Sequence, residues 1–280
     1  TLSISGDIVA PKGSLDVFIL KVNHNNGNII WKKNYGGSFE EAPFCAVVDN
    51  SSVTIACATR SLDGDVTNKS GSINDNDIWL LNIDFSGNIN WQKVILGTAW
   101  DFPCSILKSN GNYFLMGSTL STDINFTDNH GMTDTWFAKF DNVGNIIWKR
   151  CVGGTKDDMP GKLIKLNDGN FLGLINTSST DGDATGASTS HSKSKMFYKF
   201  KDDGSIVGIH FLSNDIYADG MDIIQRADTS FLMEQHNFTD SLRISIMDTN
   251  FNITSRISYG AYGGTLAPAS EMLMTPGDFL

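Results

Sequence analysis

The stretch "DNVGNIIWKRCVGG", residues 141 to 154, combines a tight turn, a strand that carries Trp148, and a double glycine. Related stretches are "VNHNNGNIIWKKNYGG" (22 to 37) and "IDFSGNINWQKVILG" (83 to 97). Looser copies are "FKDDGSIVGIHFLSN" (200 to 214) and "MDTNFNITSRISYG" (247 to 260). Self-similarity at a fixed period is the sequence signature of a repeat architecture. The repeat, rather than any single motif, therefore predicts the fold.

The turn glycine sets the period of the repeat. Four glycines occupy this position, and Phe251 stands there in the fifth copy. These glycines are Gly27, Gly87, Gly144 and Gly204. Each unit of roughly 57 residues contains four strand signals, with hairpin dipeptides such as Asn110-Gly111, and sustains no helical periodicity. Four antiparallel strands per unit predict an all-β propeller.

The ends of the chain match in phase. Residues 271 to 280 resemble a first strand and the start of a second, and residues 1 to 3 resemble the sequence that follows it. We therefore predict a single propeller domain, residues 1–280, of five blades closed by both termini. The units are residues 38–97, 98–154, 155–214, 215–264, and 265–280 completed by 1–37. The alternative is part of a six- to eight-bladed propeller.

Composition excludes some classes of function. The net charge is -10, and the 21 Lys and Arg residues are scattered, so no basic stripe predicts a nucleic-acid partner. No run of 18 apolar residues predicts a membrane-spanning helix. The chain begins Thr-Leu-Ser without a signal-peptide pattern, which indicates a mature product or an excerpt.

Aromatic residues recur at two strand positions, where they are predicted to pack between blades. Trp31, Trp91 and Trp148 share one position, and Trp79 and Trp136 share the other. The turn glycines are predicted to take positive φ. Gly208 and Ser255 replace the first tryptophan in the last two copies. Looser packing, or a junction with something else, is expected in those blades.

Acids follow the double glycines in register. They are Glu41, Asp101 and Asp158, with Asp219 in the looser fourth copy. In a propeller they would lie around one mouth of the channel, where an electronegative ring attracts a cation or a polyhydroxylated ligand. Because a residue repeated in every blade usually serves the blade, hydrogen bonding to the Gly-Gly turn is favoured. Trp100 and Tyr262 break the symmetry near this mouth and complete the predicted binding set.

The loop aspartates, the cysteines and the histidines are the other candidates for metal, disulfide or catalytic roles. The Asp-rich loops supply oxygen ligands at Asp63, Asp65, Asp181 and Asp183, but their spacing does not match a calcium-binding EF-hand. Asx turns are therefore expected, with Ca²⁺ as the alternative and no other cofactor. Cys45 and Cys57 flank one hairpin, as a cross-strand disulfide or as buried thiols. The five histidines occupy unrelated repeat positions and predict no triad.

Two resemblances follow from these motifs. The Gly-x-x-x-Trp spacing resembles the tryptophan-docking repeat of quinoprotein-like propellers. The wider unit, with its "S-x-D-G-D-V" loop and "G-G-S/T" turn, is similar to repeats of secreted and cell-surface propeller proteins of outer-membrane-bearing bacteria. The second resemblance implies an extracellular or cell-surface location, associated with the outer membrane. No Cys-Cys pair occurs, so the first carries over no quinone cofactor.

The functional expectation is recognition without catalysis, because loops on rigid scaffolds often carry binding sites. We expect a protein-interaction module of the bacterial cell envelope, whose partner is another envelope or secreted protein or a surface glycan. The first alternative is a glycan-binding lectin. The second is a five-bladed carbohydrate-active hydrolase that uses Glu41, Asp101 and Asp158.

Overall fold

The computed structural model describes residues 11–188, 193–212, 219–236 and 242–259. These residues form β-strands and one short 3-10 turn, Gly182–Ala184. The strands pair as one hairpin and four antiparallel sheets of four strands each. This arrangement confirms the predicted all-β propeller fold. The segments expected to close the ring, residues 265–280 and 1–10, lie outside the described residues.

The strands follow the repeat. The first hairpin is β1 (Val17–Val22) and β2 (Ile29–Tyr35). Blade 1 is β3 (Glu41–Val48), β4 (Ser52–Thr59), β5 (Asp77–Asp84) and β6 (Ile89–Ile95). Blade 2 is β7 (Asp101–Ser109), β8 (Asn112–Thr119), β9 (Asp134–Phe140) and β10 (Ile146–Val152). Blade 3 is β11 (Asp158–Lys165), β12 (Phe171–Thr177), β13 (Ser194–Phe200) and β14 (Ile206–Leu212). Blade 4 is β15 (Asp219–Gln225), β16 (Phe231–His236), β17 (Leu242–Met247) and β18 (Ile253–Tyr259).

The chain divides into two compact units, residues 1–129 with 136–151 and residues 130–135 with 152–280. In the first unit, β5 is buried on both faces. Leu80 belongs to a core cluster shared with blade 2, while Trp79 belongs to a cluster shared with the first hairpin. Because successive side chains point to opposite faces of a strand, a strand packed on both sides reads as a continuous apolar run. In the second unit, Phe197 of blade 3 shares a cluster with Met233 of blade 4.

The repeated tryptophan and glycine form a joint between neighbouring blades of the first unit. Gly144 has φ of +83°, and a Cβ placed on it would lie 2.7 Å from the ring of Trp91. At the equivalent joint, the Nε1 of Trp31 donates to the carbonyl of Phe85 at 3.0 Å, beside Gly87. The glycine therefore serves both the turn and the close approach of the preceding blade. Trp148 lies with its ring 6.2 Å from Phe114 of its own blade.

Candidate functional site

The repeated acids lie buried beneath the Gly-Gly turns. Glu41 is 1% exposed, and Asp101 and Asp158 are fully buried. The backbone N–H of Gly37 donates to Glu41 at 2.8 Å, and that of Gly154 donates to Asp158 at 2.7 Å. These carboxylates therefore fix the turn that links one blade to the next.

A second acid lies close to the same turn in blade 2. A Cβ on Gly153 would meet Asp134 at 2.5 Å and Asp158 at 2.6 Å, so only glycine fits there. One oxygen of each carboxylate, Oδ1, is buried and has no hydrogen-bond partner among the described residues. Two carboxyl groups in such a site oppose each other's ionisation.

Asp101 differs from Glu41 and Asp158 in its contact with the turn. Leu96 stands where the other turns have the first glycine, and the N–H of the second, Gly97, donates to Asp77 at 2.8 Å. The hydroxyl groups of Thr119 and Ser121 donate to the two oxygens of Asp101 at 2.6 and 2.9 Å. Burial raises the pKa of Asp101 to about 7, and the charge of Asp77 adds to the rise, while the hydroxyl bonds oppose it. This carboxyl group therefore titrates near neutrality.

Among the described residues, the repeated acids do not form an open ring of carboxylates. Glu41, Asp101 and Asp158 have almost no exposed surface, which corrects their prediction as ligand-binding or hydrolytic residues. The side chain of Asp219 and all of Tyr262 lie outside the described residues. Trp100 is 52% exposed, and its Nε1 donates to the carbonyl of Asn74 at 3.2 Å.

The Asp-rich loops hold the Gly-Gly-Ser/Thr turns. Asp63 accepts from the N–H of Ser38 at 2.7 Å, and Asp181 accepts from the N–H of Thr155 at 2.9 Å. Asp65 and Asp183 accept from the first glycine of the same two turns. Hydrogen bonds from Ser38 and Thr155 lower the pKa of Asp63 and Asp181. Within the described ranges, no group of three acidic, His or Cys side chains is arranged to hold a metal ion.

Cys45 and Cys57 form no disulfide, which decides between the two alternatives in favour of thiols. A bulge after Pro43 shifts the register, so that Cys45 pairs with Ala56 and Cys57 pairs with Pro43. Cys45 packs against the cluster shared with blade 2, whereas Cys57 belongs to the cluster on the other side. Burial raises the pKa of the Cys57 thiol.

One histidine completes a pair that sequence reasoning missed. The Nδ1 of His130 lies 2.7 Å from Oδ2 of Asp134, and the backbone N–H of His130 donates to the same oxygen at 2.9 Å. Asp134 is fully buried, whereas the His130 side chain is 37% exposed. Among the described residues, the imidazole makes no other hydrogen bond. The pair joins an accessible base to a fixed carboxylate.

The electrostatics of this pair come mainly from burial. Burial raises the pKa of Asp134, and the charge of Asp158 raises it further, while the hydrogen bonds from His130 lower it. Asp16 and Asp77 stand at the repeat position of Asp134. The backbone bond to Asp134 recurs at Asp16, and the imidazole contact is the addition in blade 2. Asp16 accepts from the backbone N–H of Lys12, and Asp77 forms a buried ion pair with Lys69. His130 is therefore a departure at a repeated structural position. Its spacing of four residues before a repeated Asp was the available signal in the sequence.

Comparisons with known proteins identify the fold and no family. No protein-family model matches the chain, and no curated protein matches it. A periplasmic gluconolactonase of Pseudomonas aeruginosa is similar in structure, with a TM-score of 0.54 and 11% identity over 93% of this chain and 67% of that one. An ACO/RPE65 chimera is similar at a TM-score of 0.51 and 9% identity. The match covers 87% of this chain, which spans 55% of the chimera's length.

These similarities correct the functional expectation. The gluconolactonase is an enzyme, so solved structures with this propeller-like fold include enzymes. The expectation of a binding module without catalysis is therefore wrong as an inference from this fold. No helix among the described residues is long and apolar enough to cross a membrane.

Proposed function

We propose that the protein is a hydrolase of esters or lactones in which His130 is the general base and Asp134 positions it. The observation that supports this proposal is the 2.7 Å contact between an accessible imidazole and a fully buried carboxylate. A base oriented by a third group is the common arrangement for activating a nucleophile in acyl transfer.

Each member of the pair has a distinct task. Asp134 accepts a hydrogen bond from Nδ1–H, which leaves Nε2 as the proton acceptor. The carboxylate also stabilises the imidazolium that forms during the reaction. Nε2 removes a proton from water as the water oxygen bonds to the acyl carbon. The proton then passes to the departing alkoxide as the C–O bond breaks. General acid-base catalysis of this kind typically contributes about 10² to 10⁴-fold in rate.

Lactones are the first substrates to test. The similarity to a gluconolactonase is one of fold alone, and it supports the choice because the same propeller-like scaffold hosts hydrolysis of an internal ester there. A simple aryl ester and a sugar lactone would together sample the reactive acyl class.

The test is the steady-state hydrolysis of both substrates by the wild type, His130→Gln and Asp134→Asn. Each variant should reduce kcat at least 100-fold, since Gln cannot accept the proton and Asn removes the charge that stabilises the imidazolium. Absence of turnover in the wild type above the buffer rate would overturn the proposal.

The chain offers a matched control at Asp16. Asp16 occupies the repeat position of Asp134, is 4% exposed, and accepts from the backbone of Lys12. Asp16→Asn should therefore perturb stability in the same way as Asp134→Asn and leave turnover intact. Equal loss of turnover in both variants would assign the effect to the blade rather than to the pair.

The proposal includes export to the bacterial cell envelope. Support comes from the "S-x-D-G-D-V" loops, which resemble those of secreted propeller proteins, and from the fold similarity to a periplasmic protein. Immunodetection in fractions of the native cell would place the protein in the envelope or outside it. Recovery with the cytoplasmic fraction would contradict this part.

A further inference from the structure

One joint between blades departs from the repeat at both of its partners. Gly208 of blade 3 stands where three other copies have tryptophan, and Phe251 of blade 4 stands where the turn glycine is expected. Both residues lie in the second unit of the chain. The large side chain therefore comes from the turn of blade 4 and not from the strand of blade 3.

Phe251 replaces part of the missing ring. It takes the glycine conformation, with φ of +63°, and its side chain is 6% exposed. Its ring stacks on Phe197 with centroids 4.4 Å apart and an interplanar angle of 9°, and on Phe231 at 4.9 Å. The blade that lacks tryptophan thus receives an aromatic ring from its neighbour.

A cleft remains beside this ring. Its volume is about 410 Å³, and its lining includes Gly208, His210, Thr249 and Phe251. Lys199 also lines it, paired with Asp168 at 2.7 Å. The volume lies in the range of small-molecule sites, and the lining combines a few apolar side chains with a larger number of polar ones.

The first joint indicates which ligand the cleft suits. There the indole N–H of Trp31 donates to the carbonyl of Phe85, two residues before the turn glycine. The equivalent residue in blade 4 is Thr249, which lines the cleft. Thr249 is exposed, so its carbonyl is accessible to a ligand in the cleft. An acceptor and a space are therefore both left where the repeat places an indole elsewhere.

We propose that this cleft binds a planar aromatic heterocycle that carries an N–H donor, in the place of the missing tryptophan. Phe251 offers an apolar contact, Thr249 offers its carbonyl, and Gly208 supplies the space. His210 lies beside the Phe251 ring, with centroids 5.2 Å apart, and gives the cleft a polar edge. The site shares no residue with the pair His130 and Asp134, so it stands or falls separately from hydrolysis.

The experiment uses indole and 1-methylindole as probes of the full chain, by ligand-observed saturation-transfer NMR and titration calorimetry. Indole should bind saturably, and about fivefold more tightly than 1-methylindole, which has the same ring but no N–H. No saturable binding of indole would overturn the proposal. Equal affinity for the two probes would overturn the donor requirement.

Two variants locate the binding. Gly208→Trp restores the repeat's own ring and should abolish indole binding, whereas Val143→Trp adds the same ring at a turn position that is 47% exposed and should not. Gly208→Leu fills the cleft with a smaller side chain and tests the same point if Gly208→Trp does not fold. Unchanged binding in a folded Gly208 variant would overturn the assignment to this cleft.

Discussion

The joint at Trp91 and Gly144 and the joint at Gly208 and Phe251 use the same backbone turn with the large side chain on opposite partners. In the first, the strand supplies the ring and the turn supplies the space. In the second, the turn supplies the ring and the strand supplies the space. Both joints therefore contain an aromatic ring, and either partner can supply it.

The two joints differ in what they leave accessible. An indole fills more of an interface than a phenyl ring, and the second joint retains a cleft of about 410 Å³. The repeat therefore supports the fold, and departures from it create chemically distinct places. His130 is a departure of the same kind, because its imidazole is added to a backbone bond that also occurs at Asp16, while Asp77 pairs with a lysine.

The largest expected effect comes from removing the exchanged ring. Phe251→Ala should lower the free energy of unfolding by about 3 to 5 kcal/mol, because the ring is buried against Phe197 and Phe231. Urea denaturation measures this change. Phe44→Ala is the control, since Phe44 is 50% exposed and its loss should cost about 1 kcal/mol or less. Equal effects would show that Phe251 does not fill the joint.

The acid beneath a repeated turn should make stability depend on pH. The pKa of Asp101 is raised by burial to about 7, so the folded state holds its proton more tightly than the unfolded chain does. The stability contributed by this group is then greatest below pH 4, falls by about 3 kcal/mol between pH 5 and 7, and levels off above pH 7. Asp101→Asn cannot ionise and should lose this slope in unfolding measured between pH 5 and 8. A slope identical to the wild type would contradict the assignment.

The regular joint can be tested with two glycines that share a backbone conformation. Gly144 and Gly27 have φ of +83° and +72°, but only a Cβ on Gly144 would meet Trp91, since Gly27 has open space around it. Gly27→Ala should cost about 1 kcal/mol from backbone strain alone. Gly144→Ala should cost about 2 kcal/mol more, because the added methyl group overpacks the joint. Equal costs, measured by urea denaturation, would mean that the approach of Trp91 adds nothing.

The smallest effect concerns the two acids around Gly153. The charge of Asp158 raises the pKa of Asp134, so removing that charge should bring the Asp134 pKa down toward its ordinary value. Titration of the Asp134 carboxyl by ¹³C NMR should show this decrease in Asp158→Asn. Asp63→Asn, at a fully exposed carboxylate in another loop, should leave the titration unchanged.

Much of the fold could be predicted because its signals are local and repeated. Turn glycines, hairpin dipeptides and alternating strand patterns recur with the blade. The site could not be read in the same way, because it depends on side chains that meet through packing. The bulge after Pro43 places two cysteines in different clusters. The same bulge follows Pro103 and Pro160, so the repeated proline was its sequence signal.

The departures were visible in part. The absence of tryptophan at Gly208 suggested looser packing, but the compensation by Phe251 requires knowing that the two positions meet across a joint. His130 matches no repeat position, although its partner Asp134 stands at the position of Asp16 and Asp77. The acids were visible as a repeated set, yet their burial follows from the turns folding over them.

Repeated residues hold the blades together, and departures from the repeat carry the proposed chemistry. This division of roles can be tested by measuring lactone hydrolysis and the midpoint of thermal unfolding together for Asp101→Asn and His130→Gln. We expect Asp101→Asn to shift the unfolding midpoint and retain turnover. His130→Gln should retain the midpoint and lose turnover at least 100-fold. Loss of turnover in folded Asp101→Asn, with His130→Gln still active, would contradict this division of roles.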